Sequence, residues 1–168
     1  MSQEPFVLGW EEWAAFPGLA LPAIKAKIDT GAKTSALHAV AIEPFGPANK
    51  PQVRFVMHPI PDQPDLEVVC AAPAVDRREV TSSNGETELR WVIEAKVTIG
   101  ERTWPIEVTL TNRENMAYRM LLGRSAILDD MVVSPTQSCA QKALSYDLYQ
   151  HLPRSKPVHR PLRIAILT

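Results

Sequence analysis

Leu21-Pro22-Ala23-Ile24-Lys25-Ala26-Lys27-Ile28-Asp29-Thr30-Gly31-Ala32-Lys33-Thr34-Ser35-Ala36 is the stretch on which the reading of this chain turns. An apolar-rich run from Leu21 to Ile28 delivers Asp29 into a Thr-Gly turn, and a second extended stretch leaves it. A strand that stops at an aspartate fixes a carboxylate at the end of a rigid element, where it can bind and deprotonate water. The glycine is expected to allow a turn that a β-carbon would obstruct. Asp-Thr-Gly by itself occurs in many surface turns. Its weight here comes from a second segment, Met120-Leu121-Leu122-Gly123-Arg124, far downstream.

Outward from these two segments the chain reads as short strands. Candidates lie at 23–29, 35–43, 51–58 and 66–71, several alternating or β-branched, with Pro, Gly, Asn or Asp between them. Residues 76–99 carry the clearest hairpin signal, because Ser83-Asn84-Gly85 separates two polar arms and Asn-Gly favours a tight turn. Those arms are largely charged, so the hairpin is expected to project over something rather than fill a core. Val97-Thr98-Ile99, Gly100 and Thr103 to Leu110 form another hairpin, Met120 to Leu122 a short strand, Arg124 to Asp129 a short helix, and Met131 to Val133 a last strand. Near the N-terminus, Trp10, Trp13 and Phe16 recur at three-residue spacing, which suits one helical turn or an irregular cap on the core, ended by Pro17 and Gly18. No fixed repeat and no βαβ alternation is present, so the fold class is all-β with one or two short helices.

Composition agrees. The 168 residues suffice for one domain with its own core. Fifteen prolines against seven glycines point to a loop-rich chain of short strands, since proline sits badly inside helices and central strands. A net charge of -1 argues against a general nucleic-acid or membrane-surface binder. No apolar run approaches the roughly 20 residues that cross a bilayer. Met1-Ser2-Gln3-Glu4-Pro5 lacks the basic and apolar regions of a signal peptide, so a cytoplasmic location is expected. Cys70 and Cys139 belong to no Cys-x-x-Cys pair and read as small hydrophobes. His38, His58, His151 and His159 share no metal-ligand spacing, and no metal or cofactor is expected. Gly31-Ala32-Lys33-Thr34 fails as a phosphate loop, which needs glycines where Ala32 and Lys27 stand. The domain is placed at 1–150. Residues 151–168 read as a basic, proline-rich tail, with three prolines and three Lys/Arg between Leu152 and Pro161.

Hydrolysis by carboxylates needs two of them sharing a proton, because like charges about 3 Å apart cannot both ionise. The chain holds one Asp-Thr-Gly, so a two-fold homodimer is the way to bring Asp29 beside its symmetry mate.

At this point the sequence resembles the retropepsin-like aspartic peptidases. In particular it is similar to the RimB-like bacterial family associated with RimK-type glutamate ligases, often labelled "ATP-dependent zinc protease". The residues that carry the likeness are Ala26 to Ala39, Ser82-Ser83-Asn84-Gly85 with Glu88 and Arg90, and Met120 to Arg124, within roughly residues 6–138. The resemblance implies a small acid-protease β-barrel, a flap hairpin, and an active site shared across a homodimer. It implies Asp29 as the catalytic carboxylate, Thr30 bracing the paired loops through its hydroxyl, and Gly31 admitting the substrate backbone. Ala32, Ser82, Ser83, Asn84 and Gly85 would contact substrate, with Leu121, Leu122 and Gly123 packed beneath the Asp loop.

One departure bears on substrate. Viral retropepsins commonly place an acid two residues after the motif glycine, opposite the arginine that follows Leu-Gly. Here that place holds Lys33, so Lys33 and Arg124 would favour an acidic substrate, and Arg77, Arg78, Arg90, Arg113 and Arg119 could add to the field. The family context implies glutamates added to protein C-termini by a RimK-type ligase and removed by the peptidase. Arg163-Ile164-Ala165-Ile166-Leu167 resembles the first strand of such a ligase, which makes a ligase fusion or neighbour the expected partner. Two other readings stay open: a catalytically silent dimeric barrel that binds a ligase or peptide, and a zinc-dependent peptidase.

Overall fold

The computed structural model describes residues 4–81, 84–112 and 117–152. Strands make up 55% of it and helix 7%, which settles the all-β class. In chain order the strands are β1 (Phe6–Leu8), β2 (Glu11–Phe16), β3 (Leu21–Asp29), β4 (Ser35–His38), β5 (Val40–Phe45) and β6 (Gln52–Met57). They continue with β7 (Val68–Thr81), β8 (Thr87–Ile99), β9 (Arg102–Thr111), β10 (Met120–Gly123) and β11 (Met131–Val133). Short 3-10 turns cover Pro17–Leu19, Arg124–Ala126 and Tyr146–Tyr149. Among the described residues no helix is long and apolar enough to cross a membrane.

The main sheet runs β2-β3-β10-β4-β9-β8-β7-β6-β5, and an Ala15–Thr98 pairing between β2 and β8 closes its first six strands into a barrel. Closure leaves those strands without a free edge. Alternation fills the barrel: Phe16, Leu21, Ile24, Leu37, Ile93 and Leu110 are almost fully buried. The Tyr149 hydroxyl donates to the Ala23 carbonyl at 2.6 Å and ties the 146–149 turn to β3.

Two local expectations differ from what the backbone does. The three-residue aromatic spacing at 10–16 marks strand, not helix. Glu12, Ala14 and Phe16 point inward with period two, while Trp13 lies half-buried on the other face and Trp10 is exposed. Period two was masked because Glu12 reads as a surface residue. Its carboxylate is in fact buried, accepting N–H bonds from Gly9 at 2.7 Å and Ala140 at 2.8 Å and a longer one from Gln141. The single strand expected at 35–43 breaks at Ala39 into β4 and β5, with Ala41 at φ 52° turning the chain out of the barrel.

The candidate at 66–71 and the first arm of the 76–99 hairpin are one strand. β7 pairs with β6 up to Pro73 and with β8 from Ala74 onward, with a register shift in the second pairing between Ala74 and Asp76. A bulge of this kind bends a strand and lets it change partners. The hairpin arms are exposed for most of their outer length, as their charge implied. The helix expected at 124–129 is a single 3-10 turn, Arg124–Ala126.

Candidate active site

β10 is the element that builds the site. It lies between β3 and β4, parallel to the first (Ile28–Leu122, Asp29–Gly123) and antiparallel to the second (Ala36–Leu121). The loop from Thr30 to Thr34 therefore passes over the end of β10. That crossing is close: a β-carbon on Gly123 would stand 2.6 Å from the Thr34 carbonyl carbon and 2.7 Å from its oxygen. Backbone cannot yield as a flexible side chain does, so this position requires glycine. The Gly123 N–H donates to Ser35 Oγ at 3.0 Å, and the N–H groups of Arg124 and Ser125 donate to the Ala32 and Lys33 carbonyls. Leu122 is buried beneath the loop, while half-buried Leu121 lines the cleft beside it.

Within the loop, Asp29 Oδ1 accepts the Gly31 N–H at 3.0 Å and the Asp29 carbonyl accepts the Ala32 N–H. This Asx turn orients the carboxylate. Gly31 has no left-handed φ; a β-carbon there would come within 3.2 Å of Asp29 Oδ1. Glycine is thus favoured by the closeness of the carboxylate, which a β-carbon would push aside by a few tenths of an ångström, rather than by an unusual turn angle.

Asp29 opens onto a cleft of about 780 Å³. Gly31, Ala32 and Lys33 line it with Asp29, and the hairpin supplies Val80 and Thr81 from the tip end of β7 and Arg90 from β8. Lys27 joins them from β3, and Tyr118 stands just ahead of β10. Residues two apart on a strand share a face, so Lys27 was legible beside Asp29 from spacing alone. Tyr118 carried no sequence signal. It reaches the cleft because β10 does, and its hydroxyl donates to Glu11 Oε1 at 2.7 Å. Burial, then that hydrogen bond, pushes the Tyr118 phenol up to about 12, so it stays protonated at neutral pH.

Of the remaining site candidates, the described ones do not line this cleft. Thr30 is exposed at the loop apex. Arg124 Nη1 donates to the Gly31 carbonyl at 3.2 Å, so carbonyl groups of the Asp loop occupy the guanidinium where an acid was absent. Asn84 and Gly85 form the hairpin turn, with Asn84 Oδ1 accepting the Glu86 N–H. Ser82, Ser83 and Arg113 lie outside the described residues.

Of the other arginines, Arg77 sits over the Trp91 ring, Arg78 pairs with Asp76 and Glu107, and Arg119 is buried with Nη2 on the Pro61 carbonyl. Among the described arginines of this set, Arg90 is the one that lines the cleft.

His38 is a packed histidine. It is 1% exposed, and burial, then the charges of Arg119 and His58, lower its imidazole to about 4. Among the described residues no group of three His, Cys, Asp or Glu side chains is gathered to hold a metal ion.

Known proteins share this architecture. A family model described as "retropepsin-like aspartic endopeptidase RimB" matches residues 7–143. A Shewanella pealeana protein named "probable alpha-L-glutamate ligase" is 49% identical over 82% of this chain and 30% of its own length. One of the same name from Parasynechococcus marenigrum is 41% identical over 96% of this chain and 35% of its own. The chain thus spans about a third of the curated relatives it matches. A crystal structure of a Legionella pneumophila protein of unknown function superposes with a TM-score of 0.69 at 28% identity, over 82% of this chain and 98% of that one. With its ordered Asp-Thr-Gly and Leu-Leu-Gly-Arg segments in a closed barrel, the chain belongs to the RimB-like family of retropepsin-like aspartic endopeptidases.

Proposed function

We propose that this chain is a homodimeric aspartic endopeptidase that cuts acidic, glutamate-rich peptides, including glutamates added by a RimK-type ligase. The observation that carries this reading is the cleft itself: one aspartate, Asp29, on a pinned loop, walled by the cations Lys27, Lys33 and Arg90. Each protomer supplies one half of the catalytic pair. Two-fold pairing would set the two Asp29 carboxyls together, where mutual repulsion retains one proton between them. The ionised carboxylate takes a proton from water as it attacks the peptide carbonyl, and the protonated one donates to the carbonyl oxygen. The tetrahedral intermediate then collapses with protonation of the leaving amine, and no covalent enzyme intermediate forms. Exposed Thr30, at the loop apex, is the residue that would meet its counterpart across the two-fold axis.

The test is cleavage of a poly-glutamylated peptide by the pure protein, with and without chelator, beside Asp29→Asn. Loss of cleavage in the variant alone, by at least about 1,000-fold, is the expected result. Cleavage surviving Asp29→Asn sinks the reading, and chelator-sensitive cleavage transfers it to a metallopeptidase. A second reading, an inactive barrel serving a glutamate ligase, is favoured by the names and greater length of the relatives. Absence of cleavage of any peptide, together with capture of a ligase domain, would support it.

A further inference from the structure

We infer that Arg90 is the residue that reads a peptide carboxylate in this cleft, held in position by Glu88 and Thr111. The inference deepens the peptidase reading and rests on it.

Arg90 is 8% exposed, and a buried guanidinium is costly unless it is paired. Its Nε donates to Glu88 Oε1 at 3.0 Å, and the Thr111 hydroxyl donates to the same oxygen at 3.0 Å. Glu88 and Arg90 share a face of β8, and Thr111 ends the neighbouring β9, so donors from two strands fix one carboxylate oxygen. That fixes the guanidinium plane through its Nε edge. The two Nη groups have no hydrogen-bond partner among the described residues, and Arg90 lines the cleft that holds Asp29. A guanidinium anchored at Nε and open at Nη presents the fork that matches a carboxylate.

The other well-placed arginines contrast with it. Arg78 spends its guanidinium on Asp76 and Glu107, and Arg102 spends both Nη groups on Asp130. Lys27 and Lys33 carry charge into the cleft on exposed, flexible stems. They attract an anion without orienting it. Discrimination between glutamate and its neutral isostere glutamine therefore falls to Arg90.

The experiment measures calorimetric affinity of full-length Asp29→Asn protein for three peptides: oligo-glutamate, the matched oligo-glutamine, and oligo-glutamate with an amidated C-terminus. Binding does not require cleavage, so this measurement stands whether or not the wild type proves to be a peptidase. Adding Arg90→Gln is expected to cut the Glu-over-Gln preference about 30-fold, as loss of charged hydrogen bonds implies. Arg90→Lys restores attraction but only part of the preference. Glu88→Gln gives the sharpest arm. If charge alone mattered, removing this acid would strengthen binding of oligo-glutamate; if Glu88 positions Arg90, preference falls instead. A fall overturned by amidation alone identifies the α-carboxylate as the group read, and a fall independent of it identifies the side chains. The inference is overturned if oligo-glutamate fails to bind, if Arg90→Gln keeps the preference, or if Glu88→Gln raises affinity. Melting curves of each variant, with Glu88→Gln and Arg90→Lys as the milder changes, separate loss of preference from loss of fold.

Discussion

The two walls of the cleft are built on opposite plans. The Asp29 loop is pinned from below by β10, through backbone hydrogen bonds, a buried leucine and a glycine in backbone contact with Thr34. The hairpin of β7 and β8 is tied along its outer half mostly to itself, where Thr81 meets Thr87 and Val80 meets Glu88, with the Thr111 hydroxyl on Glu88 as a tie back to β9, and Leu89 stands exposed. One wall is fixed to the barrel floor by backbone contacts, and the other stands largely exposed. Arg90 sits at the seam, where the hairpin rejoins the barrel.

The strongest way to break this contrast is Gly123→Ala. A methyl group within 2.7 Å of the Thr34 backbone forces the loop off β10. We expect a loss of about 3 kcal/mol, read as a melting temperature roughly 6–12 °C lower, and no residual activity. An unchanged melting temperature would show that the floor is as pliable as the flap.

Next comes pH. His38, inside the barrel, is neutral when folded, with its imidazole lowered to about 4, but gains a proton near pH 6.5 when unfolded. The unfolded state therefore binds more protons between these values, so stability is full above about pH 6.5 and declines as pH falls toward 4. The decline should be on the order of 2 kcal/mol, and His38→Leu should flatten this part of a denaturation series run at several pH values. Protection factors in the hairpin, corrected for the intrinsic exchange rate at each pH, should stay low throughout, since no histidine lies in it.

The mildest probe is Gly85→Ala at the hairpin turn. Its φ is 86°, but a β-carbon there would meet nothing within 4 Å. The cost is conformational alone, about 1 kcal/mol, and should appear as local exchange at 84–88 rather than as a lower global melting temperature. A global shift would mean that the flap supports the barrel.

The same contrast explains what could be read from residues. Asp29, its loop and the Leu-Leu-Gly-Arg segment were legible because backbone demands there select particular side chains, and Asn-Gly announced the hairpin turn. Glu12 was not legible: its partners, at Gly9, Ala140 and Gln141, come from opposite ends of the chain, and a buried acid without a visible partner reads as surface. That hid the strand at 11–16. Tyr118 and the Glu88–Arg90–Thr111 arrangement were hidden for a related reason, since they depend on which strands become neighbours. The break at Ala39 and the positive φ of Ala41 left no mark, because alanine at positive φ is chosen by the fold and not by its own preference.

The wedge position of β10 has a consequence for how the molecule comes into being. β3 and β4 do not pair with each other; each pairs with a strand that begins at Met120. The Glu12 carboxylate, near the start of the chain, has the nearby Gly9 amide but completes its set only with amides at 140 and 141. A nascent chain that has emerged as far as residue 110 therefore owns Asp29 but has no scaffold to hold it. The Asp29 loop takes its geometry only after β10 has emerged, however much chain follows.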